Sequence, residues 1–494
     1  MGVGRHNVQV VWFKRDLRVH DHAPLCAAAN AGPVVPLYVV EPDVVLAGDD
    51  HADRHLASVA DALADLRASL AARGAPLVIR TGAVVDVLQW IHHDVGIGGL
   101  WSHEETGNLA TYARDRDVGR WARDAGVPWT QTPQPGVIRR LDDRDTWTRQ
   151  RLDRLAAPVM PAPDVLRRTA IDPGPLPLAP ACADMVWRQN VTETQGRQRM
   201  HEFIRTGVTG YEYALSSPIT GENGCSRLST HLALGTVSAH EVVRRVEAER
   251  GRADAPRRAS LTAFSERLAW RDHFMQKLED EPDLERRSYI AEFDELRSEY
   301  DEALLERWTT GRTGFPFVDA CLRSVAATGW LNFRARAMVV SVAAHDLWLP
   351  WQSFGSQLAR WFTDYEPGIH WPQIQMQSAT TGTNTIRVYD PWKQGRDHDP
   401  TGEFTRTWCP ELSHLEAADL HSPTIAMQRP DGYPPPAVDH HRATSAAVAR
   451  IEALRSTLEP ERRAVLERHG SRRPPPARRQ RVRDPRRHRG NQRR

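Results

Sequence analysis

The 494-residue chain lacks several features that mark other classes of protein. It has no run of 18 or more apolar residues, so no segment has the length and composition of a transmembrane helix. Residues 1–7 lack the basic and then apolar layout of a signal peptide, and we expect a cytoplasmic protein without a membrane partner. The five cysteines are scattered and form no C-x-x-C motif, which argues against a disulfide framework and against a zinc or other metal site.

Positive charge is concentrated at one end of a chain whose formal net charge is only +2. Residues 471–494 include eleven Arg and one Asp, and the remainder holds 54 basic and 62 acidic residues. A basic, proline-bearing segment without apolar periodicity is typical of a disordered tail. Such a tail either attracts phosphates or only solubilises the chain, and the acidic body does not by itself indicate DNA as a partner.

Short apolar or β-branched runs alternate with helical patterns over the first 130 residues. This alternation predicts a Rossmann-like α/β domain, in which helices cover both faces of a parallel sheet. The predicted strands are residues 8–13, 34–40, 76–80, 100–103 and 127–130, and the predicted helices include 52–72 and 109–125.

A change in composition separates this region from the rest of the chain. Residues 158–183 are rich in proline and sustain neither a helix nor a central strand, so they predict a connector. Beyond them the pattern is helical almost throughout, which predicts an all-α domain. We therefore predict an α/β domain at 1–135, a connector at 136–200, a helical domain at 201–470 and a basic tail at 471–494.

The stretch G-E-N-G-C-S-R-L-S at 221–229 precedes a helical pattern. Small and hydroxyl residues at the start of a helix present backbone N–H groups to an anion, and Arg227 adds positive charge. A diphosphate therefore fits this stretch. Helix capping by Ser226 or Ser229 is the alternative interpretation.

Four motifs of the C-terminal half resemble the flavin-binding core of the photolyase/cryptochrome family. They are T-G-F-P-F-V-D-A-C (313–321), T-G-W-L-N-F-R-A-R (328–336), D-Y-E-P-G-I-H-W (364–371) and T-G-T-N-T-I-R-V-Y-D-P (381–391). Residues 11–25 similarly resemble the segment that opens the antenna domain of that family. The resemblance implies FAD in the all-α C-terminal domain, and it allows for an antenna pigment, a folate or a deazaflavin, in the N-terminal domain.

The resemblance also assigns residues to the cofactor. Arg336 and Asp364 match a buried ion pair beside the isoalloxazine ring, and Glu366 is a second acid two residues on. The S-R-L-S stretch matches the diphosphate motif, in which Cys225 stands where the family commonly has Thr. The cofactor residues implied are Tyr213, Cys225, Ser226, Arg227, Leu228, Ser229, Arg271, Arg336, Asp364 and Glu366.

Eight of the chain's 16 tryptophans lie between residues 264 and 392. By resemblance, Trp371 is the first electron donor to the flavin and Trp351 is the second. Ser298 stands at the position of the third donor, so the identity of the third donor stays open. Tyr300 lies near this position in sequence and is a candidate. Core packing is the ordinary alternative role for each single tryptophan.

The substrate pocket departs most from the family pattern. Trp270 matches the ring that stacks on a flipped dinucleotide, but Arg267 replaces a Glu that bonds to the bases, and Phe333 replaces an Asn. Arg only donates hydrogen bonds, whereas an ionised Glu only accepts them, so the pocket must read a different base edge. The other substrate contacts expected here are Trp330, Met338 and Gln373.

The resemblance implies light-driven, FAD-dependent repair of pyrimidine dimers in DNA, by electron transfer to the flipped lesion. We therefore expect a monomeric lyase that acts on damaged DNA, with Trp371, Trp351 and Trp270 as its catalytic residues. The replacements at Arg267 and Phe333 keep a cryptochrome-like blue-light photoreceptor without repair activity as the alternative. Cyclobutane and 6-4 lesions both stay open.

Overall fold

The computed structural model describes residues 7–382, 384–425 and 431–458. The tail predicted at 471–494 and the last twelve residues of the predicted helical domain lie outside this part of the chain. The predicted fold class is confirmed, because a parallel sheet precedes a helical domain. Within the described residues, no helix is both long enough and apolar enough to cross a membrane.

Five parallel strands form the N-terminal sheet in the order β3-β2-β1-β4-β5. Alternate side chains of the central strand enter opposite cores, with Val10 and Trp12 on one face and Val11 and Phe13 on the other. A strand buried on both faces reads as a continuous apolar run, which is why the runs predicted the strands. The strands are β1 Val8–Phe13, β2 Val34–Val40, β3 Val78–Thr81, β4 Ile97–His103 and β5 Trp129–Thr132.

Helices cover both faces of this sheet, as the alternation predicts. The strand order changes direction between β1 and β4, and ligands of open α/β sheets bind at such a point, beyond the carboxyl ends of the strands. Residues 14–15 and 104–105 follow these two strands. The helices are α1 Ala23–Ala31, α2 Asp53–Ala71, α3 Val84–Val95 and α4 Leu109–Asp124.

The connector crosses the surface of the α/β domain before it reaches the helical domain. After α5 (Trp147–Leu155), residues 156–192 contain no helix or strand, in agreement with their proline content. This segment still pairs with the sheet domain, since Val34 N donates to Arg167 O at 2.8 Å and Ile79 N donates to Pro173 O at 2.8 Å. Proline has no N–H but retains its carbonyl acceptor.

The helical domain surrounds a core formed mainly by the residues between Trp308 and Trp392. The T-G-F-P-F-V-D motif forms a turn at the edge of this core. Buried Asp319 accepts hydrogen bonds from the backbone N–H groups of Thr313 (2.7 Å) and Gly314 (3.0 Å), which fixes the turn before the helix that starts at Pro316. Gly314 has φ +82°, and an added Cβ would lie 2.3 Å from Pro435 O, so glycine is required there.

The α-helices of this domain continue the numbering of the first four and the connector helix. They are α6 Glu193–Glu202, α7 Tyr211–Ala214, α8 Pro218–Gly224, α9 Ser229–Leu234, α10 Ala239–Arg250, α11 Ala255–Asp280, α12 Glu302–Thr309, α13 Pro316–Thr328, α14 Phe333–Ser341, α15 Trp351–Trp361, α16 Pro367–Gln377, α17 Pro391–His398, α18 Glu403–Trp408, α19 Ala417–Leu420 and α20 His440–Thr457.

Candidate functional site

A cavity of about 310 Å³ lies in the helical domain, between α9, α11, α14 and α16. Its volume is in the range of cavities that bind cofactors and other small molecules, about 300–1,000 Å³. Most of the predicted site residues line it. These are Cys225, Ser226, Arg227, Leu228, Ser229, Arg267, Trp270, Arg271, Trp330, Phe333, Arg336, Asp364, Glu366 and Gln373.

Tyr213 does not reach this cavity, contrary to the prediction. Its side chain is 80% exposed, whereas Tyr211 on the same short helix is 8% exposed and lines the cavity. Residues two positions apart on a helix point in different directions, so only one of the two tyrosines can face inward. Tyr211 packs edge-on against Phe264, with ring centroids 5.5 Å apart.

Met338 is also absent from the cavity wall. Phe333, Arg336, Ala337 and Val340 line the cavity at the i, i+3, i+4 and i+7 spacing of one helix face. Met338 lies on another face of α14 and is fully buried in the domain core. The structure therefore gives Met338 a packing position and no access to a ligand.

Arg336 and Asp364 form a bidentate ion pair in the cavity wall. The guanidinium nitrogens Nη1 and Nη2 donate to Asp364 Oδ1 and Oδ2 at 3.0 and 2.7 Å, and Nε donates to Leu331 O at 2.9 Å. Burial alone would raise the pKa of Asp364, but Arg336 and a hydrogen bond from Ser229 hold it below its ordinary value. The cavity therefore carries a fixed pair of opposite charges.

Arg227 is the cation of the predicted diphosphate segment. It is partly buried, its backbone φ is +55°, and it forms no ion pair with any residue that the structure describes. Burial, and then the neighbouring Arg199, lower the pKa of Arg227 to about 10, so the group is still charged at neutral pH. Burial raises the pKa of the Cys225 thiol to about 11, which leaves a neutral S–H beside it.

Two buried amide oxygens in the cavity wall have no hydrogen-bond partner among the described residues. They are Asn332 Oδ1 and Gln377 Oε1. Buried acceptors of this kind are normally satisfied by protein, water or a ligand, so both can accept from N–H donors of a bound cofactor. With the unpaired cation of Arg227 for a phosphate, the lining fits FAD, whose two ring systems carry N–H groups and whose linker is a diphosphate.

The two predicted electron donors lie next to each other behind the cavity wall. The ring centroids of Trp371 and Trp351 are 5.8 Å apart, and both side chains are nearly buried. Trp371 directly follows His370, whose side chain lines the cavity. The His370 and Trp371 rings pack edge-on, with their centroids 4.7 Å apart. Tyr300, the neighbour in sequence of the missing third donor, is 40% exposed.

Three predicted substrate residues contact one another in the cavity wall. The Arg267 guanidinium carbon lies 4.9 Å from the centre of the Trp270 ring and 4.6 Å from that of Phe333. The two rings are 6.5 Å apart and nearly perpendicular. The positive charge at this position is therefore held by two aromatic faces.

A smaller cavity of about 120 Å³ lies beyond the carboxyl ends of β1, β2 and β4, at the change of strand direction where ligands of such sheets bind. Phe13, Tyr38 and Gly107 contribute to its wall. Beside them Lys14, Arg114 and Glu105 form a buried ion network.

Sequence reasoning missed Tyr211, Asn332, His370 and Gln377 as residues of the larger cavity. Asn332 and His370 lie inside recognised motifs, Gln377 lies four residues before another, and Tyr211 lies two residues before Tyr213. The signal for these residues is the helix phase, which fixes which of two neighbouring side chains faces the ligand.

The fold and the cavity first define a class: a two-domain protein with a flavin-binding helical domain. Residues 9–143 match the family model described as DNA photolyase, and residues 264–453 match the FAD binding domain of DNA photolyase. The deoxyribodipyrimidine photo-lyase of Streptomyces griseus is 32% identical over 485 residues, which cover 91% of this chain and 99% of that protein. The chain belongs to the photolyase/cryptochrome family.

Both branches of the family are among its relatives. The cryptochrome DASH of Natronomonas pharaonis is 30% identical over 475 residues, which cover 87% of this chain and 98% of that protein. The crystal structure of a bacterial class III photolyase from Agrobacterium tumefaciens superposes with a TM-score of 0.81 at 25% identity, and covers 92% of this chain and 98% of the other.

Proposed function

We propose that the protein is a light-driven, FAD-dependent lyase that repairs pyrimidine dimers in DNA. The observation that carries the proposal is the joint lining of one cavity by the Arg336–Asp364 pair and by the aromatic ring of Trp270. One cavity thus combines residues for a flavin with a platform for a base. Bound FAD supplies a photoexcitable one-electron donor there.

Trp270 and Arg267 have the roles of substrate contacts in this proposal. Stacking of a base on an aromatic ring contributes roughly 1–3 kcal/mol and tolerates different bases. Flipping a dinucleotide out of the duplex costs a few kcal/mol, and least at a damaged site, so the lesion is preferred. Arg267 donates to the carbonyl oxygens of the pyrimidines, since it has no acceptor to offer their N–H groups.

Trp371 and Trp351 have the role of returning the flavin to its reduced state. Their adjacent rings lead away from the cavity wall, and the Trp351 indole N–H donates to Ser288 Oγ at 2.9 Å, which fixes its orientation. Electrons would pass from Trp351 to Trp371 and then to the cofactor.

A second pigment, a folate or a deazaflavin, is proposed for the cavity beyond the strands. Its support is the position at the change of strand direction. At about 120 Å³ the cavity is below the usual range of ligand pockets, so pigment binding requires it to open further. Chromatography of the chromophores released from purified protein, with absorbance detection, identifies any pigment besides the flavin.

A blue-light photoreceptor without repair activity is the second candidate. The contact of Arg267 with both Trp270 and Phe333 favours it, because this contact covers ring surface that a base would use. A lesion that stacks on the same face of Trp270 must displace the guanidinium.

The decisive experiment is repair by the purified protein with reduced FAD under blue light. Oligonucleotides that contain a cyclobutane dimer, a 6-4 product or no lesion are incubated in light and in darkness, and dimer loss is measured by chromatography. We expect light-dependent loss of a dimer in the parent and none in Trp270→Ala. If the parent repairs neither lesion and binds damaged and undamaged DNA equally at one salt concentration, repair is refuted and the photoreceptor takes its place.

A further inference from the structure

We propose that the connector between the two domains forms part of the cofactor site. Trp187 of the connector holds the guanidinium of Arg227 in position to bind the diphosphate of FAD. This inference rests on the flavin site described above and adds to it a residue from outside the helical domain.

The position of Arg227 suits it to bind an anion. Arg227 adopts a left-handed backbone conformation, with φ +55°, that only glycine adopts without strain. It lines the cavity, and no carboxylate of the described residues forms an ion pair with it. A strained backbone and a partly buried cation without a partner are costs that a ligand can offset.

Two tryptophan rings contact the guanidinium of Arg227. Its central carbon lies 3.9 Å from the centre of the Trp330 ring, which belongs to the cavity wall, and 5.2 Å from that of Trp187. A guanidinium that stacks on aromatic faces keeps its N–H donors available at its edge. Those edge donors match the geometry of a phosphate.

The position of Trp187 is fixed by its neighbours in the connector. Val186 N donates to Ala327 O at 3.0 Å, and Gln189 Nε2 donates to the backbone oxygen of Arg227 at 3.0 Å. Arg188 forms an ion pair with Asp61 on α2, so the connector is attached to both domains at this point. Trp187 nevertheless remains 48% exposed, and its contact with Arg227 gives a reason for a large ring at the surface.

The test measures the rate of FAD release from the holoprotein, and then the affinity of the resulting apoprotein for FAD and for riboflavin, which lacks both phosphates. We expect Trp187→Ala to weaken FAD binding roughly 3- to 30-fold, the range of one lost cation–π contact, and to leave riboflavin binding unchanged. Trp187→Phe, which keeps an aromatic face, should restore most of the FAD affinity.

Trp90→Ala is the matched control. Trp90 is 46% exposed and lies 5.0 Å from the guanidinium of Arg80, but it belongs to α3 of the other domain. We expect this variant to bind both FAD and riboflavin as the parent does.

A double-mutant cycle separates positioning from simple stability. Arg227→Gln should weaken FAD binding, and adding Trp187→Ala to it should cause no further loss. Equal losses for FAD and riboflavin, additive losses in the double variant, or an affinity within twofold of the parent would each overturn the role of Trp187. A parent that binds neither FAD nor riboflavin would overturn the flavin site itself, and the inference with it.

Discussion

At the scale of single residues, Asp364 is the sole ion-pair partner of Arg336 in the cavity wall among the described residues. Its carboxylate is nearly buried, and both of its oxygens accept from Arg336. Desolvation makes such a pair a poor source of stability, but removal of one partner leaves the other charge uncompensated. We therefore propose that the pair serves a bound flavin more than it serves folding.

Asp364→Asn should reduce the amount of FAD that co-purifies with the protein. The substitution leaves the Arg336 charge unpaired, and because that side chain keeps 29% exposure we expect a cost below the ~3–5 kcal/mol of a fully buried pair. The ratio of flavin to protein absorbance gives the result. Asp397→Asn, which removes an exposed partner of Lys393, is the control, and equal flavin content in all three proteins would contradict the assignment.

Trp371→Phe should slow the light-driven reduction of bound oxidised FAD by an external reductant. Phenylalanine fills most of the same space but is much harder to oxidise, so the contact with Trp351 no longer carries an electron. The decay of flavin absorbance under blue light measures the rate. Trp308→Phe serves as control, since Trp308 is buried in the same core but stacks on Trp361. An unchanged rate in Trp371→Phe would mean that electrons take another route.

Among the elements, the strands were predictable and the short helices were not. Strands β1 and β2 have their predicted bounds, because burial on both faces produces continuous apolar runs. Helix α7 spans four residues and follows a wide turn at Phe203–Gly207, so the sequence offers no periodic pattern from which its phase can be read. The resemblance assigned Tyr213 to the cofactor, and no pattern in the sequence could show that Tyr211 faces the cavity instead.

The helix phase also explains the outcome at α14. The motif at 328–336 marks the start of helix α14, and Arg336 and Phe333 line the cavity as expected. Met338 was assigned by its apolar character, but it lies in the domain core. Which apolar residue faces a ligand depends on tertiary packing around the helix, and only the three-dimensional structure supplies that information.

Paired substitutions on α7 test the corrected assignment. Tyr211→Ala should destabilise the protein by about 3–5 kcal/mol, as truncation of a buried aromatic does, because Tyr211 packs against Phe203 and Phe264. Tyr213→Ala should change the free energy of unfolding by no more than about 0.5 kcal/mol, as exposed positions do. Denaturant unfolding of the two variants measures both values. A larger loss in Tyr213→Ala than in Tyr211→Ala would reverse the assignment.

At the scale of the whole molecule, ion pairs and hydrogen bonds join the α/β domain to the helical domain. Arg15, which follows β1, donates to Glu366 Oε1 and Oε2 at 3.2 and 2.7 Å, and Glu366 also lines the flavin cavity. Asp21 accepts from Ser238 Oγ at 2.5 Å and pairs with His240 Nδ1 at 3.0 Å. The α/β domain thus braces one wall of the cofactor site.

The contact between Asp21 and His240 should make stability depend on pH. Burial alone would raise the pKa of Asp21, but His240 and Ser238 hold it well below its ordinary value. Burial alone would lower the pKa of His240, but the hydrogen bond to Asp21 and its charge raise it. The Asp21 contribution is present above its unfolded pKa of about 3.9, and that of His240 is complete below about 6.5 and lost as pH rises through its folded pKa.

Thermal unfolding of the parent and of Asp21→Asn between pH 5 and pH 9 tests this coupling. We expect the difference in Tm to be largest at about pH 5 to 6, where both groups are charged in the folded protein, and to shrink as His240 loses its proton. Asp61→Asn provides the comparison, because its partner Arg188 keeps its charge throughout this range and the Tm difference should stay constant. If the Tm of Asp21→Asn and the Tm of the parent change with pH in parallel, His240 is not protonated in its contact with Asp21.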